Sequence, residues 1–300
     1  MAGALKPTAN APSDQLPGLL VFGGRVVSLR PAFSGGWHPG ELIWSLNGDP
    51  AGLSGFELYR EATGIVAAGS LDGADLWFES IGDHHLAAER LIAWAQERVD
   101  PRLLRVRAFD DDAVRTGWLA ARGWAPAEAE GLLFAIDITR PTPETDNAVG
   151  FRLGDCVDVD IEARAGLHRD AWSSLGHIGL GGVTSTFSTD LYRRLRSAPL
   201  YDPALDILAF APDGRMVASC IAWADPASGV GVFEPVGVHP GYRGRGLARL
   251  VIHEGLRRLR ERGMTAAHVG TAHFNSAAAK AYSAAGFELV GRSRWWAMQA

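Results

Sequence analysis

Cysteine is scarce in this sequence, since only Cys156 and Cys220 occur among its 300 residues. They lie far apart and lack the C-x-x-C spacing of zinc and redox sites, which argues against a disulfide framework and against a structural metal. Cys220 stands in the apolar run MVASCIAW and is predicted to be a small core residue rather than a nucleophile. We expect no metal cofactor.

Long apolar runs and an excess of charge of one sign are also missing. No stretch approaches the roughly 18 apolar residues of a membrane span, and LLVF at 19–22 is too short for the hydrophobic region of a signal peptide. The net charge of -5 does not favour nucleic acid as a partner. We therefore expect a cytoplasmic protein that binds neither membranes nor nucleic acid.

Two segments with little to bury divide the chain. Residues 1–17 are rich in Pro, Ala and Ser and are predicted to form a disordered tail. Residues 141–150 contain two prolines among polar residues, which is typical of a linker. Because 300 residues are enough for two domains of ordinary size, we predict one domain over 18–140 and a second over 151–300.

Strand-like and helix-like segments alternate in both predicted domains, which indicates α/β architecture with helices on the faces of a mixed sheet. The clearest helix is GLARLVIHEGLRRLRERG at 246–263, with apolar residues recurring on one face and Gly263 as its C-terminal stop. The order strand, helix, strand, helix also occurs in the first half. Pairing 106–124 with 269–287 aligns three identical residues: Val106 with Val269, Ala121 with Ala284, and Gly123 with Gly286. Two copies of one fold are the interpretation that this order favours.

The loop PGYRGRGLA at 240–248 joins a predicted strand to the long helix. The first turn of a helix has main-chain N–H groups without intrahelical partners, and glycines at 244 and 246 would let an anion approach them. Arg243 and Arg245 add forked positive donors. The loop therefore predicts a bound diphosphate, although an ordinary solvated turn is the alternative. It is neither a P-loop nor a complete G-x-G-x-x-G motif.

A second motif lies downstream: Asn275-x-x-Ala278-x-x-x-Tyr282-x-x-x-Gly286-Phe287. Together with the loop, it resembles the Gcn5-related N-acetyltransferase (GNAT) family. The resemblance is strongest over 206–298 and only architectural over 18–140. It implies two tandem GNAT-like domains, each a mixed, mostly antiparallel sheet flanked by helices, with the catalytic site in 151–300.

This resemblance implies acetyl-CoA as co-substrate, with its diphosphate on the loop and its pantetheine amides paired with the main chain of the preceding strand. Asn275 would contact the cofactor arm, although it is equally well explained as the N-cap of its helix. The cofactor-binding residues implied in this way are Val236, Gly237, Val238, Arg243, Gly244, Arg245, Gly246, Leu247, Ala248 and Asn275.

Two residues are implied or proposed to be catalytic. Tyr282 matches the family's tyrosine that protonates the departing thiolate, against the alternative that its ring merely packs on the sheet. Glu234, on the strand that would carry the cofactor, is the first candidate for the base that deprotonates the amine, against the alternative of an edge-strand carboxylate. His239, His268 and His273 are the other candidates, by their reference pKa.

The first predicted domain lacks these features. Its strand-to-helix passage, FESIGDHHLAAERL, contains no RGxG and no arginine pair, and Leu119 stands at the position paired with Tyr282. We expect a degenerate, non-catalytic domain. The predicted function is transfer of an acetyl group from acetyl-CoA to a primary amine of a small molecule or peptide by direct attack. The alternatives are a mycothiol synthase-like acetyltransferase and a non-catalytic acyl-CoA sensor or interaction module.

Overall fold

The computed structural model describes most of the chain, namely residues 6–7, 12–30, 35–82, 84–140, 150–173 and 185–299. The predicted linker lies outside the described residues except for Gly150, as do 1–5 and 8–11 of the predicted tail. None of the described helices is long and apolar enough to cross a membrane. The prediction of α/β domains with mixed sheets and flanking helices is confirmed.

The chain forms two compact units whose bounds differ from the predicted domains. Unit 1 contains residues 1–42, 50–132 and 291–300, and unit 2 contains 43–49 and 133–290. The difference arises because strands pair with partners that are remote in sequence. The final strand, for example, pairs antiparallel with Arg105–Phe109, so that Trp296 lies opposite Val106.

Unit 1 contains a sheet with the order β1-β2-β3-β4-β5-β12, in which β4 and β5 are parallel and the other neighbouring strands are antiparallel. Its core includes Leu76, Leu91, Val106 and Trp118. Its strands are β1 (Lys6–Pro7), β2 (Phe56–Glu61), β3 (Gly64–Asp72), β4 (Asp75–Ser80), β5 (Arg105–Phe109) and most of β12 (Glu288–Met298), together with the start of β6 (Trp124–Asp137). Its helices are α1 (Pro12–Leu29), most of α2 (Pro39–Ser45), α3 (His84–Gln96) and α4 (Ala113–Ala120).

The prediction of a disordered tail is wrong for residues 12–17, because α1 begins at Pro12. Proline is compatible with the first turn of a helix, where its missing N–H is not needed. Leu16, Leu19, Phe22 and Val26 are all buried at helical spacing, so burial of this apolar face stabilises the helix. The high proline and alanine content of the segment obscured this periodicity.

Unit 2 contains the sheet order β6-β11-β10-β9-β8-β7. Strands β7 to β10 are antiparallel neighbours, whereas β10 and β11 are parallel, with a long helix between them in sequence. The strands are β7 (Arg152–Asp155), β8 (Asp206–Phe210), β9 (Met216–Asp225), β10 (Val230–Val238), β11 (Ala266–Ala272) and residues 133–137 of β6. The helices are α5 (Ile161–Trp172), α6 (Thr189–Arg196), α7 (Leu247–Glu261) and α8 (Ser276–Ala284).

A buried ion pair holds α5 against the sheet of unit 2. Arg164 and Asp206 are both fully buried, and Nε and Nη2 of the arginine donate to one carboxylate oxygen at 3.0 and 2.9 Å. The hydroxyls of Tyr192 and Tyr201 donate to the other oxygen at 2.8 and 3.0 Å. Because a buried charge needs a partner, this network orients α5 relative to β8.

Candidate active site

The central feature of unit 2 is the divergence of two parallel strands. The pairing of β10 with β11 ends at Phe233 and Val269, although both strands continue. A register irregularity in β10 follows Phe233, after which β10 pairs with β9 from Val236 onward. The main chain of Val236–Val238 therefore does not pair with β11, and a cleft of about 700 Å³ opens beside it.

Most of the predicted cofactor residues come together around this cleft. Its lining includes all of the predicted set except Arg245. It also includes residues that were not in that set: Ala171, Trp172, Tyr242, Arg249, Ala272, Phe274, Ala277, Ala278, Ala281, Tyr282 and Ala284, of which Tyr282 was predicted to be catalytic.

The loop between β10 and α7 has the local geometry of an anion site. Gly244 and Gly246 have φ of 74° and 75°, a left-handed conformation that favours glycine. Gly246 is the N-cap of α7 and provides no side chain to accept from the first-turn N–H groups. These N–H groups and the positive end of the helix dipole therefore remain available to a ligand in the cleft.

The arginines of this region have different surroundings. Arg243 lines the cleft and donates from Nη2 to the main-chain oxygen of Ala171 at 2.9 Å. Arg245 is exposed, and its guanidinium lies 5.2 Å from the ring centre of Tyr242. Arg249, one turn further along, lines the cleft and has no ion pair among the described residues. Sequence reasoning missed Arg249, although its position in the first turn of α7 was a usable signal.

The C-terminal end of α5 forms another wall. A Cβ placed on Gly237 would lie 2.4 Å from the Trp172 ring, so only glycine allows helix and strand to approach this closely. Trp172 in turn stacks on His168, with ring centres 4.1 Å apart. Burial, reinforced by the charge of Arg164, lowers the pKa of His168 to about 3, so this imidazole is neutral near pH 7.

Helix α8 supplies the remaining wall. Asn275 is its N-cap, as predicted, and its Oδ1 accepts from the N–H of Ala278 at 3.2 Å. The same asparagine lines the cleft. The alanines of α8 that line the cleft have small side chains, which leaves room for a ligand between α8 and β10.

Tyr282 lies on the same helix, lines the cleft and is only 6% exposed. Its ring packs edge-on against Phe134, with centres 5.7 Å apart. Burial raises the pKa of the phenol above its usual value of 10, and the negative charge of Glu234 raises it further. The hydroxyl therefore keeps its proton at neutral pH and can act as a donor.

The predicted bases are not among the residues that line the cleft. Glu234 is half-buried, and its main-chain oxygen accepts from Trp223 Nε1 at 2.7 Å. His239 accepts from the N–H of Gly241 through Nδ1, and His268 is buried. His273 is exposed and packs against Phe274. The electrostatic effect of Glu234 on Tyr282 keeps it the first candidate.

Both cysteines are buried, as the sequence predicted for Cys220. The Cys220 Sγ donates to the main-chain oxygen of Val251 at 3.3 Å, and burial raises the pKa of this thiol. A thiol with a raised pKa is a poor source of thiolate, so Cys220 is unsuited to nucleophilic catalysis. Among the described residues, no group of three or more His, Cys, Asp or Glu could hold a metal ion.

The corresponding region of unit 1 is filled by side chains. Strands β4 and β5 pair only at Asp75–Leu76 and then diverge. There, Arg115 donates to the main-chain oxygen of Phe78 at 2.9 Å and pairs with the buried Glu79 at 2.8 Å. Arg30 pairs with Glu79 as well, at 2.9 Å. Two small cavities lined by Phe78 and Arg115 have volumes of only about 10 Å³ each.

The chain also resembles known proteins. The sequence model of the acetyltransferase (GNAT) family matches residues 169–287. Mycothiol acetyltransferase of Kineococcus radiotolerans is 33% identical over 174 residues, which are 56% of this chain and 53% of that protein. The chain thus matches about half the length of this curated relative.

Two solved structures share the fold over nearly the entire chain. A GCN5-related N-acetyltransferase from Sphaerobacter thermophilus has a TM-score of 0.61 at 18% identity and covers 99% of this chain and 96% of its own. A tandem GNAT protein from the clavulanic acid biosynthesis pathway has a TM-score of 0.59 at 15% identity, with 97% of each chain covered. The segment that builds the cleft, residues 169–287, thus matches the acetyltransferase (GNAT) family, and the chain as a whole shares its fold with a tandem GNAT protein.

Proposed function

We propose that unit 2 transfers an acetyl group from acetyl-CoA to a primary amine. The observation that carries this proposal is the cleft between β10 and β11, which runs from the uncapped N-terminus of α7 to the buried hydroxyl of Tyr282. A diphosphate fits the first end, because N–H groups and Arg249 can meet its charge. The amides of pantetheine fit the side of Val236–Val238 that faces away from β9 and does not pair with β11, as a peptide fits a strand edge.

The reaction follows from these positions. The amine nitrogen attacks the thioester carbon, the C–S bond breaks, and the CoA sulfur leaves as a thiolate. Tyr282 donates a proton or a strong hydrogen bond to this sulfur. The raised pKa of the phenol does not prevent this, because the same burial also raises the pKa of the thiol. Glu234, directly or through water, takes the proton that the amine loses.

The acceptor is a primary amine on a small molecule or peptide. The similarity to mycothiol acetyltransferase makes the acceptor of that enzyme the first compound to include in a panel. The sensor alternative remains distinguishable, because a sensor needs neither a proton donor at Tyr282 nor a base.

The test has two stages. Calorimetry should show binding of acetyl-CoA, and a thiol-reactive dye should then report CoA release with a panel of primary amines. Binding followed by amine-dependent thiol release supports the proposal. Binding without release on any amine, unchanged in Tyr282→Phe, would instead favour the sensor. Absence of binding would favour the alternative that the loop at 240–248 is an ordinary solvated turn.

A further inference from the structure

Phe274 is the only exposed Phe, Tyr or Trp among the described residues, with 43% of its surface accessible. The other large hydrophobic side chains exposed in the described part of the chain are aliphatic. Most aromatic rings are buried in folded proteins, so an exposed ring inside a ligand cleft calls for a contact that the protein itself does not supply.

Phe274 lines the same cleft as the predicted cofactor residues. It follows the C-terminal end of β11 and directly precedes Asn275, the N-cap of α8. Tyr282 lies further along α8, and the helical rise from Ser276 to Tyr282 corresponds to about 9 Å. Phe274 and Tyr282 therefore stand at opposite ends of the α8 wall.

A neighbouring ring supports Phe274 from one side. His273 meets it edge-on, with ring centres 5.1 Å apart and planes at 83°. A single T-shaped contact of this kind can cover at most one face of the phenyl ring. Because Phe274 is 43% exposed and lines the cleft, a ring face stays available to a flat ligand group.

We infer that Phe274 stacks on the adenine of CoA and so favours binding of ligands that carry the nucleotide. This inference rests on the proposed function. With the thioester at Tyr282 and the diphosphate at the start of α7, the nucleoside continues away from Tyr282, toward the end where Phe274 lies. Aromatic stacking suits a nucleobase, because the two flat π-faces match and the apolar ring becomes covered.

The experiment compares two ligands that differ by the nucleotide. Binding of CoA and of 4′-phosphopantetheine, which lacks the 3′-phosphorylated AMP, is measured by calorimetry for the unaltered chain, Phe274→Ala and Phe274→Trp. We expect Phe274→Ala to weaken CoA binding about 10-fold to 100-fold while leaving 4′-phosphopantetheine unchanged. Phe274→Trp should retain CoA affinity, since it preserves the stacking surface.

Leu289→Ala is the matched control, because Leu289 is 39% exposed in the same unit and does not line the cleft. Equal weakening of both ligands by Phe274→Ala, or no weakening of either, overturns the inference while leaving the proposed function intact. If the unaltered chain binds neither compound, the proposed function fails and this inference fails with it. Thermal unfolding of each variant confirms that the fold is retained.

Discussion

Arg243 donates a hydrogen bond from Nη2 to the main-chain oxygen of Ala171 at 2.9 Å, which ties the loop before α7 to the C-terminal end of α5. The last carbonyls of a helix lack intrahelical donors and carry the negative end of the dipole, so a guanidinium stabilises them. Arg243 therefore holds two walls of the cleft together. Arg249 lines the same cleft without such a tie.

This difference predicts distinct effects of two substitutions. Arg249→Met should weaken CoA binding about 10-fold to 100-fold, as expected for loss of a charged hydrogen bond, without changing the melting temperature. Arg243→Met should lower both the affinity and the melting temperature, because the tie to α5 is lost. Calorimetry measures the affinity for CoA, and thermal unfolding measures the melting temperature.

Lys280→Met is the control, since this cation is exposed on α8 outside the cleft lining. Wild-type affinity in Arg249→Met would contradict the assignment.

Tyr282→Phe should lower kcat about 100-fold while changing the affinity for CoA by less than about threefold. The phenyl ring keeps the packing against Phe134, whereas the proton donor is removed. Because the folded pKa of Tyr282 lies above 10, the unaltered enzyme should lose no activity through ionisation of this phenol below pH 10. Steady-state thiol release across pH checks both points. An unchanged kcat in Tyr282→Phe would remove the tyrosine from the mechanism.

His168 should make unit 2 sensitive to acid. Its pKa of about 3 in the fold lies below the usual 6.5, so between these values the unfolded chain takes up a proton that the folded chain does not. Stability is therefore lost as pH falls below 6.5, by up to about 1.4 kcal/mol per pH unit.

Urea unfolding at pH 7.5 and 5.5 measures this effect. His168→Phe should show a smaller loss of unfolding free energy between the two pH values than the unaltered chain. His273→Asn is the control variant, because it removes an exposed imidazole of the same unit. An identical pH slope in His168→Phe and the unaltered chain would show that His168 titrates normally.

Unit 1 should not bind CoA, so that one chain binds one CoA. In the pairing that aligns Val106 with Val269, Arg115 falls opposite Ala278, which lines the cleft of unit 2. Arg115 instead occupies the space between β4 and β5. Calorimetry should give a stoichiometry of one, and Arg249→Met should weaken all of the binding. A second site that keeps its affinity in that variant would contradict this prediction.

The candidate site was largely predictable because its chemistry is local. The glycines at 244 and 246 mark left-handed residues beside an uncapped helix start, and the spacing from Asn275 to Tyr282 places both on one helix. Phe274 lay outside these motifs and showed no periodicity of its own. Its significance comes from exposure inside a cleft, which is a property of the folded chain.

Boundaries between the units were less predictable, because they depend on pairing between remote residues. The final strand spans Glu288–Met298, and only tertiary contacts assign most of it to unit 1, where it pairs with β5. The place where β10 and β11 part after Phe233 likewise depends on the register of three strands. Turn chemistry and helix capping are determined by residues a few positions apart. Strand pairing, burial and the space left for a ligand arise when distant segments compete to pack, and that outcome is decided in the folded chain.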